Sequence, residues 1–109
     1  MAAERRLVLL LGLEIGDAAG YARYRTEMRP LLEAFGGRFD CDFRVAEVLS
    51  APGEARIDRV FALSFPDRTA RERFFADPDY RRMRAQWFDP SVRATAVLGE
   101  FEEAGGEQG

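Results

Sequence analysis

The side chains of this sequence that could do chemistry are its tyrosines, its arginines and one tryptophan, because histidine, lysine and asparagine are absent. Tyr21 and Tyr24 stand one helical turn apart, so any helix holding them puts both on one stripe. A phenol on that stripe either aims its hydroxyl into a pocket, donating to a ligand or acting as general acid, or is a core residue whose hydroxyl reaches the rim. Arg59 sits beside Ile57 and Phe61 on an otherwise apolar run. A charge there needs a carboxylate or an anionic ligand, unless it snorkels to solvent from the strand end. Arg38 follows Gly36-Gly37. Its planar fork suits a ligand carboxylate, and it suits Asp40 or Asp58 across strands equally well. Trp87 either walls a cleft between helix and sheet or simply packs. Tyr24, Arg38, Arg59 and Trp87 are thus the candidate ligand-binding residues, and no residue stands out as catalytic.

What is missing excludes more. Without histidine there is no ordinary imidazole base, no histidine-ligated haem and no usual zinc or non-haem iron site. The chain shows no phosphate loop, dinucleotide fingerprint, metal-ligand spacing or nucleophile elbow, so neither a cofactor nor a metal is expected. All sixteen basic residues are arginine, yet the formal net charge is −3, which offers no general attraction to phosphate backbones or anionic lipid. Arg81, Arg82 and Arg84 form a small basic patch without an aromatic stacking platform, and read as a solvated helix face rather than a nucleic-acid site. Cys41 cannot form an intrachain disulfide on its own, which suits a reducing cytoplasm, and it reads as core filling. Arg5-Arg6 before the apolar run Leu7–Leu13 loosely imitates a secretory signal, but Glu14 cuts the run short and a strand explains it equally well. It is also too short to span a membrane.

The elements that must position these residues follow from periodicity. Leu7–Leu13 is apolar on both alternating faces, as a central strand is. Asp17 offers an N-cap, and Tyr21, Tyr24, Met28, Leu31, Leu32 and Phe35 mark an amphipathic helix stopped by Gly36-Gly37. Pro30 inside it predicts a kink or break near Met28–Arg29. Phe39, Cys41, Phe43 and Val45 then alternate with Arg38, Asp40, Asp42 and Arg44 as a half-buried strand, and the phase slip after Val45 predicts a β-bulge near Ala46. Ile57–Phe65 is a third strand, with Ile57, Phe61, Leu63 and Phe65 on one face and Val60, Ala62 and Ser64 on the other. Pro66-Asp67 opens a helix that Asp77-Pro78 restarts, Tyr80, Met83 and Trp87 forming its apolar stripe. Val92–Phe101 is the last strand, and residues 104–109 read as a disordered tail after a single domain over residues 1–103.

Strand, helix, strand, strand, helix, strand is the split β-α-β order of an α+β, ferredoxin-like fold. Right-handed crossovers put both helices on one face of a four-stranded antiparallel sheet, with strands one and three central. The other face keeps Val8, Leu10, Val60, Ala62, Ala96 and Leu98 uncovered, and a second copy packing sheet to sheet would cover them. A homodimer is therefore the expected partner, with a small molecule as possible ligand and neither nucleic acid nor membrane involved.

Two blocks resemble a known family: Tyr21-x-x-Tyr24 followed by Arg29-Pro30-Leu31-Leu32-Glu33-Ala34-Phe35-Gly36-Gly37-Arg38-Phe39, and Phe65-Pro66 followed by Phe75-Ala76-Asp77-Pro78-Asp79-Tyr80. Together they are similar to domain of unknown function 1330, from Leu7 to about Glu102. The resemblance implies the dimeric α/β-barrel superfamily, which includes cofactor-free monooxygenases, haem-degrading enzymes, a lactone isomerase and stress-response proteins. The pocket asparagine or histidine on which those enzymes depend has no counterpart here. What remains is a protein binding an aromatic or carboxylate-bearing metabolite between helices and sheet, with or without turnover, or a non-catalytic assembly module acting through its dimer interface.

Overall fold

A computed structural model describes residues 4–53 and 56–105 of the chain. Four strands, β1 (Glu4–Ile15), β2 (Arg38–Arg44), β3 (Arg59–Phe65) and β4 (Val92–Gly105), form one antiparallel sheet in the order β2-β3-β1-β4. Helices α1 (Ala18–Ala34), α2 (Arg68–Ala76) and α3 (Pro78–Met83) lie on one face, and a π-turn over Arg84–Phe88 leads from α3 toward β4. This is the ferredoxin-like architecture, with β1 and β3 central as the strand order predicted. Among the described residues no helix is long and apolar enough to cross a membrane.

Local chemistry sets the helix ends. Asp17, Asp67 and Asp77 accept from the backbone N–H groups of Gly20, Ala70 and Tyr80, capping α1, α2 and α3. α1 closes in a Schellman motif: Gly36 N–H bonds Glu33 O and Gly37 N–H bonds Leu32 O, both at 2.9 Å, with Gly36 at φ +78°. α1 runs through Pro30 without the predicted break. Pro30 and Thr26 are both exposed, so the carbonyl that loses its donor faces water.

The core between helices and sheet is built from Leu13, Phe61, Leu63 and Phe65 below and Tyr21, Tyr24, Met28, Leu32, Phe74, Tyr80 and Phe88 above. Each such large apolar side chain contributes about 1.5–3 kcal/mol on burial. Register shows the sides: Leu9 pairs Leu63, Leu11 pairs Phe61 and Leu13 pairs Arg59 on the helix face, while Val8, Leu10 and Gly12 pair Ser64, Ala62 and Val60 opposite.

Several expectations about the strands are corrected. The irregularity in β2 lies between Phe39 and Cys41, not near Ala46. It leaves Asp40 unpaired, so Phe39 and Asp42 face the helices while Cys41 and Phe43 face away. The predicted single apolar face of Phe39, Cys41, Phe43 and Val45 is therefore split. Ile57, expected beside Phe61, precedes β3 and reaches the opposite face, where a Cβ on Gly12 would lie 2.9 Å from its Cδ1. A side chain at Gly12 would require Ile57 and Leu98 to give way. β4 continues to Gly105, two residues into the segment read as tail; residues 106–109 lie outside the described residues.

Candidate functional site

The helical layer lies closest to β2 and β3 and meets β4 through Arg68 and Arg71 of α2, which pair with Glu100. The inner face of β4 is left open, Val97 being 64% exposed, and a cavity of about 200 Å³ lies between it and the helices. Leu9, Leu11, Phe61 and Leu63 form its floor, Thr95 and Val97 its β4 side, and Tyr24, Phe75, Tyr80, Arg84 and Phe88 its roof. The lining is apolar apart from Thr95 and three groups: the Tyr24 and Tyr80 hydroxyls, whose oxygens are 2.8 Å apart, and the Arg84 guanidinium.

Each reaches the cavity for a local reason. Tyr24 sits on the buried stripe of α1, its ring edge-on to Phe88 at 4.9 Å. The Asp77-Pro78 restart turns α3 so that Tyr80 lies buried against Phe74, centroids 4.2 Å apart. Arg84 follows Tyr80 by one helical turn, its N–H bonding Tyr80 O, and the π-turn, in which Asp89 N–H bonds Arg84 O over five residues, turns Phe88 to the same side. The extra residue in that turn rotates the following side chains, and π-turns recur at functional sites. Arg84 stacks on the Phe88 ring at 4.8 Å, with its Nε 3.6 Å from Asp89 Oδ1.

Burial is the main cause that pushes both phenols up. Tyr24 is held well above the ordinary tyrosine value, with Tyr80 reinforcing the effect. Tyr80 is also raised by burial, while its hydrogen bond with Tyr24 and the Arg84 charge pull the other way. Both hydroxyls stay protonated at neutral pH, so they act as donors and not as bases.

A second polar cluster lies where α1 faces β2 and β3, around Tyr21 and Arg25. Arg59 holds Asp42 in a bidentate pair, Nε to Oδ1 at 2.7 Å and Nη2 to Oδ2 at 3.1 Å. Arg25 approaches the same carboxylate, Nε 2.5 Å from Oδ2, at an angle that falls short of a hydrogen bond. The Arg59 guanidinium also stacks over Tyr21 at 5.0 Å. Burial, and next the Asp42 charge, push Tyr21 up to about 12, and its buried hydroxyl finds no hydrogen-bond partner among the described residues.

Of the candidates from sequence, Tyr24 lines the cavity and Arg59 lies in the Asp42 cluster, joined to Tyr24 only through Tyr21, whose ring is 5.9 Å from that of Tyr24. Arg38 is exposed and pairs with Asp40 at 2.9 Å. Trp87 is half-buried under the Arg23 guanidinium, 4.7 Å from its centroid, and does not line the cavity. Arg84, read as part of a solvated patch with Arg81 and Arg82, is corrected to a cavity residue. One sequence signal could have found it: Arg84 follows Tyr80 by four residues, one helical turn, and so shares its stripe. Asp42 was hidden by the bulge. Arg6 of β1 also lies buried and donates to Ser64 Oγ at 2.9 Å and Gly36 O at 2.8 Å, Ser64 in turn donating to Asp40.

The family described as domain of unknown function (DUF1330) matches residues 8–101. No curated protein matches the chain. Among solved structures, a protein of unknown function from Rhodopseudomonas palustris superposes with a TM-score of 0.73 at 19% identity, covering 94% of this chain and 84% of its own. A DABB-family protein with a ferredoxin-like fold from Mesorhizobium loti gives 0.62 at 17% identity, covering 91% and 95%. A dimeric ferredoxin-like protein of unknown function from Thermobifida fusca gives 0.55 at 14% identity, covering 95% and 94%. At these identities the likeness shows the fold.

Proposed function

The chain belongs to the DUF1330 family, and from that premise we propose that it is a small-molecule-binding homodimer whose ligand is a single-ring aromatic acid held between helices and sheet. The observation that carries this reading is the convergence of Tyr24, Tyr80 and Arg84 on one otherwise apolar cavity of about 200 Å³. A dry cavity of about 150 Å³ accepts benzene, so this one takes a ring with a short substituent. Phe61, Phe75 and Phe88 offer faces and edges to the ring. The carboxylate accepts from the tyrosine pair and from Arg84, which gives up Asp89 to bind it. With donors and a cation but no base at the cavity, the site is built to bind and orient an oxyanion rather than to remove a proton.

The dimer reading rests on the sheet face that carries no helix. Phe43 and Phe101 lie on it 58% and 48% exposed, flanked by Val60, Ala96 and Leu98. The Thermobifida fusca relative is a dimeric protein of this fold, which supports the same arrangement here. A standard interface would bury about 1,600 Å² in total.

A thermal-shift titration with benzoate and phenylacetate tests the ligand reading. Stabilisation that grows with the logarithm of ligand concentration and disappears in Arg84→Gln is expected. No stabilisation of the unaltered protein by any ring acid would defeat it.

A further inference from the structure

The cavity just described does not account for the N-terminal end of α1, where it leaves β1. There Arg44 of β2 and Arg59 of β3 are direct cross-strand partners on the helix face of the sheet. Like charges placed opposite each other repel. Arg59 is compensated by Asp42, but that carboxylate is already shared with Arg25. Arg44 has no ion pair among the described residues and projects from the edge strand. Both arginines line a cavity of about 300 Å³, together with Ile15, Ala18, Val45 and Asp58.

We infer that this cavity is a second binding site, for a small oxyanion gripped between Arg44 and Arg59. Arg59 spends two of its five N–H donors on Asp42 and keeps the others for a ligand. Asp42 stays wedged between Arg25 and Arg59 on the inner side, its side chain only 9% exposed. Among the described residues the one carboxylate lining the cavity is Asp58, and its Oδ1 accepts the Ile15 N–H at 3.1 Å. The lining thus holds, among the described residues, two guanidinia and one carboxylate, so an anion offsets the surplus and removes the Arg44–Arg59 repulsion. Ile15, Ala18 and Val45 leave room for a small apolar body on the anion. This site stands apart from the ring-acid cavity and does not depend on it.

The test is titration of the intact protein with inorganic phosphate and, separately, with acetate, followed by amide chemical shifts at constant ionic strength set with chloride. Saturable shifts at Ala18, Val45 and Arg59 are expected, weakened tenfold or more in Arg44→Gln and unchanged in Arg38→Gln and Arg84→Gln. Response to phosphate alone assigns a phosphate-bearing ligand, and response to acetate alone a carboxylate. Shifts reproduced by chloride, equal affinity in Arg44→Gln, or loss in Arg84→Gln would each overturn the site.

Discussion

The Tyr24 and Tyr80 hydroxyl oxygens lie 2.8 Å apart, joining the middle of α1 to α3 across the cavity roof. Each phenol satisfies the other in a buried setting, so removing one strands its partner. Tyr24→Phe is expected to cost about 1 kcal/mol in urea denaturation and to weaken ring-acid binding. The double variant Tyr24→Phe/Tyr80→Phe should lose less than the sum of the two single changes. Strict additivity would show that the hydroxyls do not interact.

All three tyrosines of the chain are buried, and all three phenols are raised. In the unfolded chain a tyrosine ionises near pH 10. In the folded protein Tyr21 does so only at about 12. Between those values the unfolded state sheds protons that the folded state keeps, so stability is fully present below about pH 10 and falls as pH rises above it. Ultraviolet difference titration should show little phenolate until unfolding and then a cooperative rise. A tyrosine titrating near 10 in folded protein would contradict this burial.

Asp42 holds two guanidinia, and its side chain is only 9% exposed. Asp42→Asn leaves Arg25 and Arg59 facing each other without a counter-charge, which should cost on the order of 3 kcal/mol by chemical denaturation. Asp40→Asn, whose ion-pair partner Arg38 is well exposed, should cost clearly less. Equal costs for the two would remove the distinction drawn between the clusters.

At Gly37 an added Cβ would lie 2.5 Å from Leu32 Cδ1 and 2.9 Å from Phe65 Cε1. Gly37→Ala should therefore destabilise by about 1–3 kcal/mol, since overpacking forces core side chains off their rotamers. Gly53→Ala, at φ +71° with nothing within 4 Å, should cost only the backbone penalty of about 1 kcal/mol. Guanidinium denaturation of the two variants compares them directly.

The helix-free sheet face gives a prediction in solution. Phe101, 48% exposed and paired with Val8 on that face, is a natural place to break a face-to-face dimer. Light scattering at micromolar concentration should report a dimer for the unaltered chain and a monomer for Phe101→Asp. A monomeric parent protein would sink the interface.

The sequence by itself determined the order of elements, their caps and the central strands. Those features rest on local signals: period-two alternation in β3, the i, i+3, i+7 stripe of α1, and aspartates at Asp17, Asp67 and Asp77. It also marked Tyr24, because a helix face is periodic. The tertiary structure alone decided which side Asp42 and Phe88 take. Each depends on a one-residue irregularity, the bulge at Asp40 and the π-turn at Arg84–Phe88. Such an insertion turns every following side chain, and whether it forms depends on contacts distant in sequence: Asp42 with Arg25 and Arg59, and Phe88 with Tyr24. Periodicity carries no information about those contacts. The pairing of Tyr24 with Tyr80, 56 residues apart, belongs to the same class, fixed by how α1 and α3 settle on the sheet.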